Sequence, residues 1–230
     1  MCGRYCLVET PERVGEIFDA IVRPFWPLRY NIAPTQQVPV LRRMLQLDGK
    51  PKREVSSMHW GLIPSWAKDR SIGNRMINAR AETASVKPAF RTAWKTRRCA
   101  LPASGFFEWM KADDGKIPHM IRRADHQVMA LAGLWESWRS ENGSELESVT
   151  ILTTSPNKFM KRIHDRMPVL LEEDDLSAWL DDGENGTSLD DVQELARPAP
   201  DGILEAVALS RRVNNPRNDD EACLKPVEIS

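Results

Sequence analysis

The sequence predicts an α+β fold, a strand-rich core with peripheral helices, in a single domain over residues 1–230. Three observations carry that expectation. Short apolar runs bounded by turn signals outnumber the helical patterns. At 230 residues, 41% hydrophobic and 28% charged, the chain can bury a sizeable core and is no disordered segment. No internal repeat, low-complexity tract or Gly/Ser linker divides it.

The elements follow in order. A short apolar strand, Tyr5 to Val8, precedes Thr10-Pro11, which reads as an N-cap with proline at the first helical position. The spacing of Val14, Ile17, Phe18 and Ile21 places them on one face of that helix. Strands are then expected at Val38 to Leu47, Glu54 to Trp60, Cys99 to Leu101, Phe106 to Met110, Ile117 to Arg122, Val128 to Leu134 and Ser148 to Thr153. Asp113-Asp114-Gly115 and Asn142-Gly143 mark turns between them. Ser155-Pro156 reads as the start of a short helix towards Arg162. The acidic stretch Glu172 to Arg197 reads as one or two surface helices with Leu176, Trp179 and Leu180 facing inward.

Composition excludes several function classes. The longest apolar run, Val128 to Trp135, has 8 residues, too short to span a bilayer. The start Met-Cys-Gly-Arg-Tyr is unlike a secretory signal. Four cysteines (Cys2, Cys6, Cys99, Cys223) form no CxxC pair, which fits a reduced, cytoplasmic protein. Their spacing with His59, His119 and His126 matches no zinc pattern, so neither metal nor cofactor is expected. The net charge of −1 hides an asymmetry: Glu172 to Glu205 holds 12 acidic residues and one basic residue, and the remainder holds 31 basic and 21 acidic. Thr83 to Phe107 carries Lys87, Arg91, Lys95, Arg97 and Arg98 with no acid, which allows a polyanion partner or a solvated basic helix face.

Cys2 is the most informative position. Initiator methionine is normally removed before so small a residue, which would leave an N-terminal α-amine and a thiol on adjacent carbons. That pair permits two chemistries: thiol attack on an acyl carbon with the amine as base, or condensation with an aldehyde and ring closure to a thiazolidine. Four further segments look over-specified for packing. Met76 to Thr83 places Asn78, Arg80 and Glu82 at alternate positions, one face if the segment is a strand. Gly105 to Trp109 embeds Glu108 among aromatics, where a carboxyl gains the raised pKa of a general acid, or else lies on a wet strand face. His164 sits beside Asp165 and Arg166, and Val213-Asn214-Asn215-Pro216 reads as a turn. Among eight tryptophans, Trp66 in a loop and Trp109 beside Glu108 suit stacking on unpaired bases.

These segments together resemble the SOS response-associated peptidase (SRAP) family, also called abasic-site processing proteins. The resemblance rests on Met1 to Tyr5, Tyr30 to Pro34, Trp60 to Pro64, Asn78 to Thr83, Arg98 to Ala103, Gly105 to Trp109, Ile163 to Pro168 and Val213 to Pro216, in the family's order. It implies a β-barrel-like core with a basic cleft, in a bacterial form without the C-terminal extension of some eukaryotic relatives. It also implies binding of single-stranded DNA at abasic sites and a covalent link through Cys2. Carried over residue by residue, Cys2 is the nucleophile, and Asn78 orients the sugar and the cysteine. Glu108 is the general acid/base, and His164 assists proton transfer. Arg4, Arg80 and Arg166 contact phosphates, and Trp66 and Trp109 stack on or wedge between bases. The expected partner is abasic single-stranded DNA, with no membrane and no metal, and the expected state is a monomer. An N-terminal cysteine peptidase or amidase, including self-removal of Met1, is the alternative.

Overall fold

The computed structural model describes residues 2–45, 51–113, 115–181 and 186–228. After strand β1 (Tyr5–Leu7), the Thr10 side chain accepts a hydrogen bond from the Arg13 amide at 3.3 Å, and helix α1 (Pro11–Phe18) starts with proline in its first turn. It stops where Asp19 takes a left-handed conformation, φ 45°, and its amide bonds back to the last turn. Ile21, expected on the helix face, therefore falls in strand β2 (Ala20–Val22) and is partly exposed. Strands β3 (Arg29–Ile32), β4 (Gln37–Leu45) and β5 (Pro51–Trp60) follow. Gln46 and Leu47, the end of the strand expected from Val38, lie outside the described residues, as does Asp114 of the expected turn.

The segment 76–83 does not form one strand. Strand β6 (Asn78–Arg80) gives way at once to helix α2 (Ala81–Ala84), whose two alanines and glutamate favour helix, so Glu82 does not share a strand face with Asn78 and Arg80. Helix α3 (Arg91–Thr96) leads into strands β7 (Arg98–Ala103), β8 (Gly105–Ala112), β9 (Gly115–Arg123), β10 (Met129–Arg139) and β11 (Glu145–Thr154). Ser155-Pro156 starts no helix. Asn157 Oδ1 accepts from the Met160 amide at 2.8 Å and caps a single 3-10 turn, Met160–Arg162. Strands β12 (Met167–Pro168) and β13 (Leu170–Leu171), helices α4 (Glu173–Leu180) and α5 (Leu189–Leu195), and strand β14 (Leu204–Ala208) complete the order.

Strands β5, β4, β7, β10 and β11 are neighbours in that order, and a parallel pairing of Ser148 with His59 and Val149 with Trp60 joins β11 back to β5. The five strands thus close a barrel, which removes their free edges. A second sheet of five strands, ordered β14-β9-β8-β1-β3, continues from the barrel through Ser104, the one residue between β7 and β8. Trp60, Trp94 and Trp179 are fully buried, and the last two meet edge to face with centroids 5.5 Å apart. Arg98 is buried as well: its guanidinium donates to the carbonyls of Trp94, Lys95, Trp179 and Asp181, binding the ends of α3 and α4 together. With Arg97 paired to Glu136, the basic run leaves only Lys87, Arg91 and Lys95 exposed.

The register of β11 sets up the rest. Beyond β5, the same strand pairs with β6, Ile151 beside Asn78 and Thr153 beside Arg80. Thr153 also pairs with Pro168 of β12. One strand end therefore draws the 78–82 and 164–168 segments together.

Candidate active site

Cys2 enters along the edge that β1 shares with β8. Tyr5 pairs with Phe106, and the Phe107 amide donates to the Arg4 carbonyl at 2.9 Å, so the next residue, Glu108, comes alongside the start of the chain. From the barrel side, Asn78 Nδ2 donates to the Cys2 carbonyl at 2.9 Å. The Cys2 thiol is fully buried, and burial first, then the nearby Glu108 charge, push its pKa far above the ordinary thiol range.

Glu108 is 4% exposed, and burial raises its pKa from 4.5 to about 7. His164 Nε2 lies 4.0 Å from Glu108 Oε2. Burial lowers the His164 pKa, which keeps the imidazole neutral at neutral pH. Its Nδ1 accepts from the Arg166 amide at 3.0 Å and also lies 2.9 Å from an Asp165 carboxylate oxygen, while Nε2 faces Glu108. Asn78 Oδ1 is buried with no hydrogen-bond partner among the described residues. The four residues that sequence reasoning selected for catalysis, Cys2, Asn78, Glu108 and His164, are thus brought together. They combine a buried thiol, a carboxyl whose pKa burial raises towards neutrality, a neutral imidazole and an amide oxygen with spare capacity.

The DNA candidates are disposed in three ways. Arg4 is held by Asn31 Oδ1 at 2.8 Å and the Val213 carbonyl at 2.9 Å, with its guanidinium 5.8 Å from the Trp109 ring centroid. Trp109 Nε1 donates to Asn214 Oδ1 at 2.7 Å, so Val213-Asn214 serves as a brace for this plate as well as a turn. Arg166 forks onto Glu82 at 2.7 and 2.8 Å. Arg80 is exposed at the end of β6, and Trp66 is 60% exposed on a separate loop. That loop is anchored by Trp138 Nε1 donating to the Ala67 carbonyl at 2.6 Å.

Sequence reasoning missed the residues that hold these groups in place. Asn31 Nδ2 donates to the carbonyls of Val213, Asn215 and Asn218, and Asp219 accepts from the amides of Tyr30 and Asn31. A lone asparagine inside the Tyr30 to Pro34 motif was the only signal. Among the described residues no group of three or more His, Cys, Asp or Glu side chains is placed to hold a metal ion. No helix of the described residues is long and apolar enough to cross a membrane, and the four cysteines are free and buried.

A family model described as SOS response associated peptidase (SRAP) matches residues 1–216. The Bacillus subtilis protein named abasic site processing protein YoaM is 41% identical, over 97% of this chain and 97% of its own length. The Xenopus tropicalis protein named abasic site processing protein HMCES is 32% identical, over 87% of this chain and 67% of its own. A crystal structure of a Bacteroides thetaiotaomicron protein superposes with a TM-score of 0.87 at 24% identity, covering 99% of this chain and 100% of that one, a likeness of fold alone.

Proposed function

The chain belongs to the SOS response associated peptidase family, and from that premise we propose that it processes abasic sites by linking Cys2 covalently to the lesion in single-stranded DNA. The observation that carries the reading is the grouping itself: the buried Glu108 carboxyl, its pKa pushed up to about 7 by burial, lies 4.0 Å from His164 and alongside the buried Cys2, whose carbonyl Asn78 holds. Once Met1 is removed, the Cys2 α-amine attacks C1′ of the ring-opened sugar. Glu108 in its acid form protonates the departing oxygen, which leaves as water and gives the imine. The imine forms still carrying its N–H proton; the thiol sulfur then adds to the same carbon and its proton passes to the Glu108 carboxylate, closing the thiazolidine and restoring the acid. A carboxyl near half-titration supplies both forms at neutral pH, which suits a sequence that needs an acid and then a base. His164 serves proton transfer at the sugar, and Asn78 orients Cys2 through its carbonyl with Oδ1 left to accept from the amine or the sugar.

Exposure divides the DNA contacts. Trp66 and Arg80 meet the strand directly, the first by stacking and the second at a phosphate. Arg4 and Arg166 act from positions already fixed by protein acceptors, and Trp109 wedges from its brace on Asn214. The peptidase alternative needs a thiolate, which burial and the Glu108 charge both oppose. Denaturing electrophoresis after mixing with an abasic single-stranded oligonucleotide tests the choice. The native protein should give a stable adduct, Cys2→Ala none, and Cys2→Ser at most an imine that reduction traps. A stable adduct from Cys2→Ala would overturn the proposal.

A further inference from the structure

We propose that Glu82 is a positioning residue for His164, acting through Arg166. The inference rests on the reading of His164 as a proton-transfer group in abasic-site processing, and deepens it. The Arg166 guanidinium makes a two-pronged contact with the Glu82 carboxylate at 2.7 and 2.8 Å, the strongest form of charge-assisted pairing. Its Nη2 also reaches the Thr153 carbonyl at 2.5 Å, on the strand end from which β6 and β12 both depart. Glu82 itself is set by the helix that interrupts β6, so the clamp ties the 78–82 segment to the 164–168 segment.

What the clamp fixes is the backbone of residue 166. The Arg166 amide donates to His164 Nδ1 at 3.0 Å. A backbone N–H can only donate, so Nδ1 offers its lone pair and the ring proton resides on Nε2, which faces Glu108 Oε2 at 4.0 Å. The Asp165 carboxylate lies 2.9 Å from the same Nδ1 and already competes for it: the Arg166 amide favours a lone pair on Nδ1, whereas Asp165 would draw the ring proton there once the amide let go. An isolated ion pair at the surface contributes little to stability, but this one sets which imidazole nitrogen meets the reacting groups. The side chain that resembles a phosphate contact is thereby committed first to Glu82.

The test is nuclear magnetic resonance of the full chain without DNA, read beside cross-linking of an abasic single-stranded oligonucleotide. The native protein should show a scalar coupling across the hydrogen bond between the Arg166 amide nitrogen and His164 Nδ1. Glu82→Gln should abolish it in a folded protein and slow cross-linking about three- to tenfold, a fraction of a full acid–base contribution. Arg166→Gln, which removes the fork from the other side and keeps the amide, should give the same loss of coupling. A native protein without the coupling, or a Glu82→Gln protein that retains it, overturns the proposal. Loss of coupling with an unchanged cross-linking rate upholds the positioning and overturns the role given to His164, so the two failures are distinguishable.

Discussion

Glu108→Gln should stabilise the protein at alkaline pH while disabling it. In the folded state the Glu108 carboxyl keeps its proton up to about pH 7, whereas in the unfolded chain it releases it near 4.5. The stability that goes with the protonated form is complete below about pH 4.5 and is lost as the pH rises through about 7. That interval corresponds to about 3 kcal/mol, all but complete by pH 8. Glutamine has no proton to lose, so its own burial cost is the same at every pH. The stability of Glu108→Gln relative to the native protein should therefore improve by about 2–3 kcal/mol between pH 5 and pH 8. For a chain of this length that is a gain of roughly 5–10 °C in relative melting temperature, read by calorimetry at the two pH values. Cross-linking by the same variant should fall by about 10²-fold or more. A melting difference that stays constant from pH 5 to pH 8, or that narrows, would refute the assignment of a neutral buried carboxyl at this site.

Three other outcomes follow from the geometry. Trp66→Ala should weaken binding of a single-stranded oligonucleotide by about 1–3 kcal/mol in fluorescence anisotropy, with the melting temperature unmoved because the ring is 60% exposed. Asn31→Ala should cost about 1–3 kcal/mol in denaturant unfolding, since it removes one of the two acceptors of Arg4 and the side-chain donor shared by three carbonyls of the 213–218 segment. Gly61→Ala should destabilise by about 2–4 kcal/mol and impair oligonucleotide binding, because φ is +135° and a Cβ would meet the Gly73 carbonyl oxygen at 2.6 Å, displacing the loop that carries Trp66.

Much of this molecule was legible where local chemistry decides. Thr10-Pro11 announced α1 because a cap and a proline act within one turn, and the long strands from Cys99 to Thr153 appear because each alternates or runs apolar over several residues. Cys2 and Glu108 stood out for a different reason, an N-terminal thiol and a carboxyl among aromatics, whereas Asn78 and His164 joined them through the family resemblance; the structure places the four side by side. Ile21 was misplaced because helix periodicity extends past Asp19, and only the left-handed cap ends it. Glu82 was read onto a strand face because alternation in 76–83 outweighed the short helical run Ala81–Ala84. Barrel closure depends on Val149 meeting Trp60, and the Asn31 latch on residues 182 to 187 positions away. No window of sequence holds such pairs. The partners of Arg4 and Arg166 were invisible for the same cause, although both arginines were selected.

The central claim is that one carbon of the lesion carries both the nitrogen and the sulfur of Cys2. Intact mass spectrometry of the denatured adduct, before and after borohydride treatment, tests it most directly. The account predicts the mass of the chain without Met1 plus the abasic oligonucleotide, less one water, and no change on reduction. An adduct that takes up hydrogen on reduction would be an open imine, and one that retains Met1 would have formed without the α-amine of Cys2. Either result, or no adduct at all from a processed chain, would contradict it.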